Sequence, residues 1–137
     1  MEPLEQRICT FARQALGTPF RLHGRKLESG VDCVGLVAAV LERAGIIVPP
    51  LPRYAMRNLT TAQFAPLIKQ LSLASVNGPL SAGDILVLKP APAQLHLGIM
   101  TSCGLIHADA RLGKVVLSPA RPDWPLITVL RHSKEEN

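Results

Sequence analysis

Gly30-Val31-Asp32-Cys33-Val34-Gly35-Leu36-Val37-Ala38-Ala39-Val40-Leu41-Glu42-Arg43-Ala44-Gly45 is the stretch on which the reading of this chain turns. Val34, Val37, Ala38, Val40 and Leu41 form one broad apolar stripe, which predicts a helix over about 32–44 with Gly45 as its C-terminal stop. Asp32 stands where an aspartate commonly caps a helix. Cys33 falls in the first turn, where unpaired N–H groups and the positive end of the helix dipole favour an anion. A thiol there is biased toward thiolate, and the same N–H groups can stabilise an oxyanion formed when sulfur attacks a carbonyl. The plainer reading of Cys33 is a small buried core residue.

Toward the N-terminus, Ile8, Phe11, Ala12, Ala15 and Leu16 recur at helical spacing over residues 4–16, and Gly17 ends the pattern. Thr18 to Leu22 reads as extended chain that enters an irregular loop through Ser29-Gly30. His23 lies in that loop beside Gly24 and could line a cleft. Beyond Gly45, Thr60 or Thr61 can cap a shorter helix to about Leu71, with Phe64, Leu67, Ile68 and Leu71 inward. The character then changes. Asp84 to Leu88 is a β-type run after the turn Ser81-Ala82-Gly83, and further runs follow at 95–100, 105–109, 114–118 and 127–131. Helices first and strands second predict an α+β class, with the helical half packed on one face of a small antiparallel sheet.

In Leu95-His96-Leu97-Gly98-Ile99-Met100 the side chains alternate, which separates Leu95, Leu97 and Ile99 from His96, Gly98 and Met100. A glycine beside a strand histidine suggests that something approaches that face closely. If the next strand returns through a turn within Met100 to Cys103, residues whose numbers sum to 203 face one another, and His96 and His107 meet that condition. Two adjacent imidazoles can serve as a base and the group that orients it. The other candidates read as structural: Cys9 as core, Cys103 in a turn, His132 solvated, and Asp84 at a strand start. Asp109 follows His107 closely and could polarise the site, a solvated carboxylate being the plainer reading.

The chain has 137 residues, 47% of them apolar and 18% charged, which suits one domain over 1–137 with disorder expected only at the tail 133–137. Prolines cluster at 49–52, 90–92 and 119–125, expected to be loops and edges. Three cysteines without motif spacing make a disulfide framework improbable. No apolar run is long enough to cross a bilayer, and the acidic N-terminal residues do not resemble a secretory signal. The expected location is therefore cytoplasmic as synthesised. A net charge of +5 favours anionic partners, but the basic residues are scattered and aromatics are scarce, which argues against nucleic acid.

Gly17-Thr18-Pro19-Phe20-Arg21-Leu22 followed by Val31-Asp32-Cys33-Val34-Gly35-Leu36-Val37 resembles the N-terminal signature of the NlpC-type cell-wall cysteine peptidases. Ala82-Gly83-Asp84-Ile85-Leu86, His96-Leu97-Gly98-Ile99 and Leu105-Ile106-His107-Ala108 are similar to that family's later motifs, in the family's order, over about residues 5–118. The resemblance implies a papain-like α+β fold and hydrolysis of amide bonds in peptidoglycan stem peptides. By position it implies Cys33 as nucleophile, His96 as base and His107 as the residue that orients it, with no metal or organic cofactor. The order of cysteine before histidine disfavours the circularly permuted relatives that act on lipids. Phe20 departs from the family's usual tyrosine, whose hydroxyl is thought to assist the oxyanion, and His23 is a candidate substitute. Val34 replaces the common serine after the cysteine, and His23-Gly24 replaces a glycine pair. The oxyanion and cleft candidates are thus Phe20, His23 and Asp32.

Two other readings compete with an enzyme. One is a binding module of the same fold that grips an anionic wall polymer or a phage-tail partner; the other is a metal site built from Cys33, His96 and His107, which lacks the close ligand pairs of structural zinc sites. The absent signal, taken with the family's substrate, suggests delivery to the wall as part of a phage-like particle.

Overall fold

The computed structural model describes residues 2–51, 61–92, 94–119 and 123–132. The expected tail and Thr60 lie outside them, as do the side chains of Phe64 and Leu67. The chain runs through α1 (Leu4–Gln14), β1 (Arg25–Lys26), β2 (Gly30–Val31), α2 (Cys33–Arg43) and α3 (Thr61–Gln70). The strands β3 (Leu73–Val76), β4 (Ile85–Ala91), β5 (Gln94–Thr101), β6 (Gly104–Asp109), β7 (Lys114–Ser118) and β8 (Leu126–His132) follow. The last six form one sheet in the order β3-β8-β4-β5-β6-β7, antiparallel at each pairing. Five of these six strands stand where the alternation pattern puts them. β3 was not anticipated, and neither was the two-stranded ribbon β1–β2, which is too short to show a period.

α2 is the centre of the packing. Every residue from Cys33 to Leu41 is buried, because the helix is covered on all sides rather than along one stripe. α1 lies beside it and contributes Ile8 and Ala12 to the same core. On the sheet, Ile85, Val87, Leu95, Leu97, Ile99, Ile106, Ala108 and Leu130 face this helical layer. The opposite residues, Leu86, Leu88, Met100, Leu105 and Val129, form a second, smaller cluster with Trp124 and Leu126 against its edge. Truncating one buried leucine of α2, such as Leu36 or Leu41, would cost about 2–5 kcal/mol in such a layer.

Asp32 caps α2 as expected: its Oδ1 accepts from the Gly35 N–H at 2.8 Å. Its Oδ2 accepts from the His23 N–H at 2.8 Å, which draws the 21–24 loop down onto the helix start. Gly35 is required by that approach, since a Cβ there would overlap the Gly24 carbonyl. A buried aspartate, Asp84, holds the start of β4 to β8 through a two-point ion pair with Arg131, at 2.7 and 2.9 Å. Pro90 lies at the end of β4 rather than in a loop; the β4–β5 register shifts between Leu88 and Ala91, and such a bulge tolerates the missing N–H.

Candidate active site

Met100 donates its N–H to Asp84 across β4, so even-numbered residues of β5 direct their backbone groups toward β4 and odd-numbered ones toward β6. The β5–β6 ladder pairs Thr101 with Gly104, Met100 with Leu105 and Ile99 with Ile106, and goes no further. Beyond Ile99 the strands part, and the Leu97 N–H is left pointing into the gap. The first residue of α2 fills it: the Leu97 N–H points to the Cys33 sulfur, together with the N–H groups of Val34 and Cys33 itself. The nucleophile candidate thus meets the sheet one residue past His96.

The register corrects one expectation. Ser102 and Cys103 make a two-residue turn, so facing residues sum to 205 rather than 203, and His96 and His107 are not directly opposite. They meet along a diagonal instead. His96 Nε2 and His107 Nδ1 are 3.0 Å apart, with the rings edge to face at 5.0 Å between centroids. Gly98 is needed here, but for a different approach than expected: a Cβ at that position would press on the Leu105 side chain from β6.

Two residues not singled out in the sequence complete the arrangement. Ser118 of β7 places its Oγ 2.8 Å from His107 Nε2. Trp124, from the connection before β8, stands edge-on to both imidazoles, at 5.5 Å from His96 and 5.6 Å from His107. No local pattern could have found either one. Ser118 is one serine at a strand end, and Trp124 arrives from a proline-rich loop.

A cleft of about 290 Å³ opens beside this pair, lined by Phe20, Gln94, His96, Asp109, Arg111 and Trp124 among others. Phe20 is part of that lining. His23 does not line this cleft; its backbone sits at φ 62° and is held by Asp32. Asp32 is fully buried, with both carboxylate oxygens engaged by backbone N–H groups. The loop-to-helix clamp uses the Asp32 carboxylate and the His23 backbone N–H, and neither residue is part of the cleft lining. Cys33 is 0% exposed and does not line the cleft either.

Burial governs the charge states. It pushes the Cys33 thiol up to about 12, against the pull of the Leu97, Val34 and Cys33 N–H groups. It pushes His96 down to about 4, aided by the neighbouring His107 and opposed by Asp109. His107 is lowered for the same reason, again opposed by Asp109. The three groups rest as a neutral thiol and two neutral rings. Among the described residues no hydrogen bond joins the Cys33 sulfur to an imidazole, and no group of three or more His, Cys, Asp or Glu could hold a metal.

The arrangement defines a class: a thiol at a buried helix N-terminus, set against a sheet that carries a histidine pair. The NlpC/P60 family model matches residues 17–125, and the chain belongs to that family. The solved structures agree in fold. NlpC1 from Trichomonas vaginalis superposes with a TM-score of 0.68 at 17% identity, covering 91% of this chain and 42% of that one. The peptidoglycan hydrolase RipB from Mycobacterium tuberculosis gives 0.62 at 21% identity, over 93% of this chain and 64% of its own. RipD from the same organism, described as a non-catalytic domain protein adapted to peptidoglycan binding, gives 0.61 at 14% identity over 95% and 97%. The chain spans less than half the length of NlpC1 and of NlpC2 from Trichomonas vaginalis. No curated protein matches it in sequence.

Proposed function

We propose that this domain is a cysteine endopeptidase or amidase that hydrolyses amide bonds in peptidoglycan stem peptides. Cys33 is the nucleophile, His96 its base and His107 the group that orients the base. His96 takes the thiol proton as sulfur attacks the carbonyl, and the protonated ring returns that proton to the departing amine. Water activated by the same imidazole then releases the acyl group from sulfur. The observation that carries this reading is the 3.0 Å contact between His96 Nε2 and His107 Nδ1. It commits Nε2 to His107 and leaves Nδ1 as the ring nitrogen available to the thiol, while Cys33 sits at the α2 N-terminus against Leu97. None of the neighbours named above is a phage-tail protein, and the proposal leaves that partner out.

A second reading is favoured by the seal over Cys33. A fully buried thiol that burial holds protonated fits a nucleophile no longer in use, and RipD, described as non-catalytic, is a neighbour of the same fold. On that reading the Phe20–Trp124 cleft binds a wall polymer without cutting it. The rate of alkylation at each cysteine by iodoacetamide, measured against pH and mapped by mass spectrometry, separates the two. The enzyme reading expects Cys33 to react below its ordinary pH range and to lose this in His96→Ala. An inert Cys33, indifferent to His96→Ala, supports the binding module.

A further inference from the structure

His107 joins His96 at one ring nitrogen and Ser118 Oγ at the other, the latter at 2.8 Å. Both rings are pushed toward neutrality by burial, so each carries one N–H and one lone pair. Two arrangements satisfy the contact between them. In the first, His96 Nε2–H donates to His107 Nδ1, and His107 then points its own Nε2–H at Ser118 Oγ. In the second, His107 Nδ1–H donates to His96 Nε2, His96 carries its hydrogen on Nδ1, and Ser118 donates to the bare Nε2 of His107.

The role of His96 as a base selects the first. His96 lines the cleft, and a ring that takes the thiol proton at Nδ1 must hold its own hydrogen on Nε2, which the second arrangement does not allow. In the first, every ring N–H has an acceptor. Ser118 is only half-buried, so its own hydroxyl hydrogen can be given to water.

We propose that Ser118 is a positioning residue: its oxygen accepts from His107 Nε2–H and so fixes both rings in the tautomers that keep Nδ1 of His96 basic. The inference rests on the reading of His96 as the base. The same chain serves both charge states, because a protonated His96 still donates through Nε2 to His107 and nothing reverses during turnover. Sequence alone offers no such role, since Ser118 comes to His107 only through the β6–β7 register that sets His107 against Val116.

¹⁵N NMR of histidine-labelled protein at neutral pH reads the tautomers directly. Both rings are expected as Nε2–H in the wild type. Ser118→Ala is expected to mix the tautomers and to slow iodoacetamide alkylation of Cys33 about tenfold, the size of losing one buried hydrogen bond. Its pH profile should also shift; the charged groups to weigh are Asp109, which acts on both rings, Arg111 in the same cleft and the Cys33 thiol. Ser118→Thr, which keeps a hydroxyl, should restore both readouts. A wild-type His96 carrying its hydrogen on Nδ1 overturns the proposal whether or not the variants fold. So does Ser118→Ala with unchanged tautomers and an unchanged pH profile. Nε2–H tautomers together with a Cys33 that ignores His96→Ala would uphold the Ser118 assignment and overturn the catalytic reading instead.

Discussion

The two halves of the candidate site are built differently. On the sheet, His96, His107 and Ser118 form a hydrogen-bonded chain beside an open cleft, with Trp124 edge-on to both rings. On the helix, Cys33 is sealed at 0% exposure under its own first turn and is pushed up to about 12. The basic arm is organised and reachable; the nucleophilic arm is organised and closed. Burial and backbone N–H groups act against each other at Cys33, and at rest burial wins. On the enzyme reading the thiol must therefore gain its proton acceptor and its exposure together as the site opens, to a small alkylating reagent as to a substrate carbonyl.

The comparison is broken most directly by Cys33→Ala, whose expected effect is a loss of stem-peptide hydrolysis on the order of 10⁴-fold with the fold kept. Binding of wall fragments by isothermal calorimetry should persist in that variant. If hydrolysis survives, the chemistry does not run through the helix arm.

Next in size is the pH dependence of folding. Burial lowers His96 from 6.5 to about 4, so the unfolded chain binds that proton more readily than the native one. Stability is thus full above about pH 6.5 and falls as the pH drops toward 4, by about 3 kcal/mol from this ring alone. Cys33 works at the other end: its raised value leaves stability intact at neutral pH and removes it above about pH 9. Urea titrations across pH 4–10 measure both limbs. Replacing His96 with phenylalanine should flatten the acid limb and leave the alkaline one.

The smallest of the three tests is a gain. Phe20→Tyr puts a hydroxyl into the cleft that His96 lines, and kcat is expected to rise by up to about a hundredfold if the oxyanion lacks only that donor. An unchanged kcat with tighter binding of wall fragments would sharpen the contrast the other way, toward a cleft that holds rather than cuts.

Much of the fold was legible because it depends on local periodicity. The apolar stripe of α2, its aspartate cap and the alternation in β4 to β8 all follow from 3.6- and 2-residue repeats, which short-range sterics impose. The nearness of His96 and His107 was also readable, from a short connection between two alternating runs. Its register was not, since a two-residue turn at Ser102-Cys103 rather than one residue earlier shifts the facing sum from 203 to 205, and backbone twist geometry decides that choice. β3 escaped notice because Leu73-Ala74-Ser75-Val76 is only four residues long, too short to show alternation, and pairs with β8 some fifty residues on.

The sequence by itself determined the class of the domain and its candidate thiol and imidazoles, since residue types and their order in the chain carry those. Only the tertiary structure decided that Asp32 and His23 clamp a loop, that Ser118 and Trp124 join the histidines, and that Cys33 is closed over. Each of these depends on which distant segments share a desolvated space. Burial and hydrogen-bond partnership are properties of that space, and no local pattern encodes them.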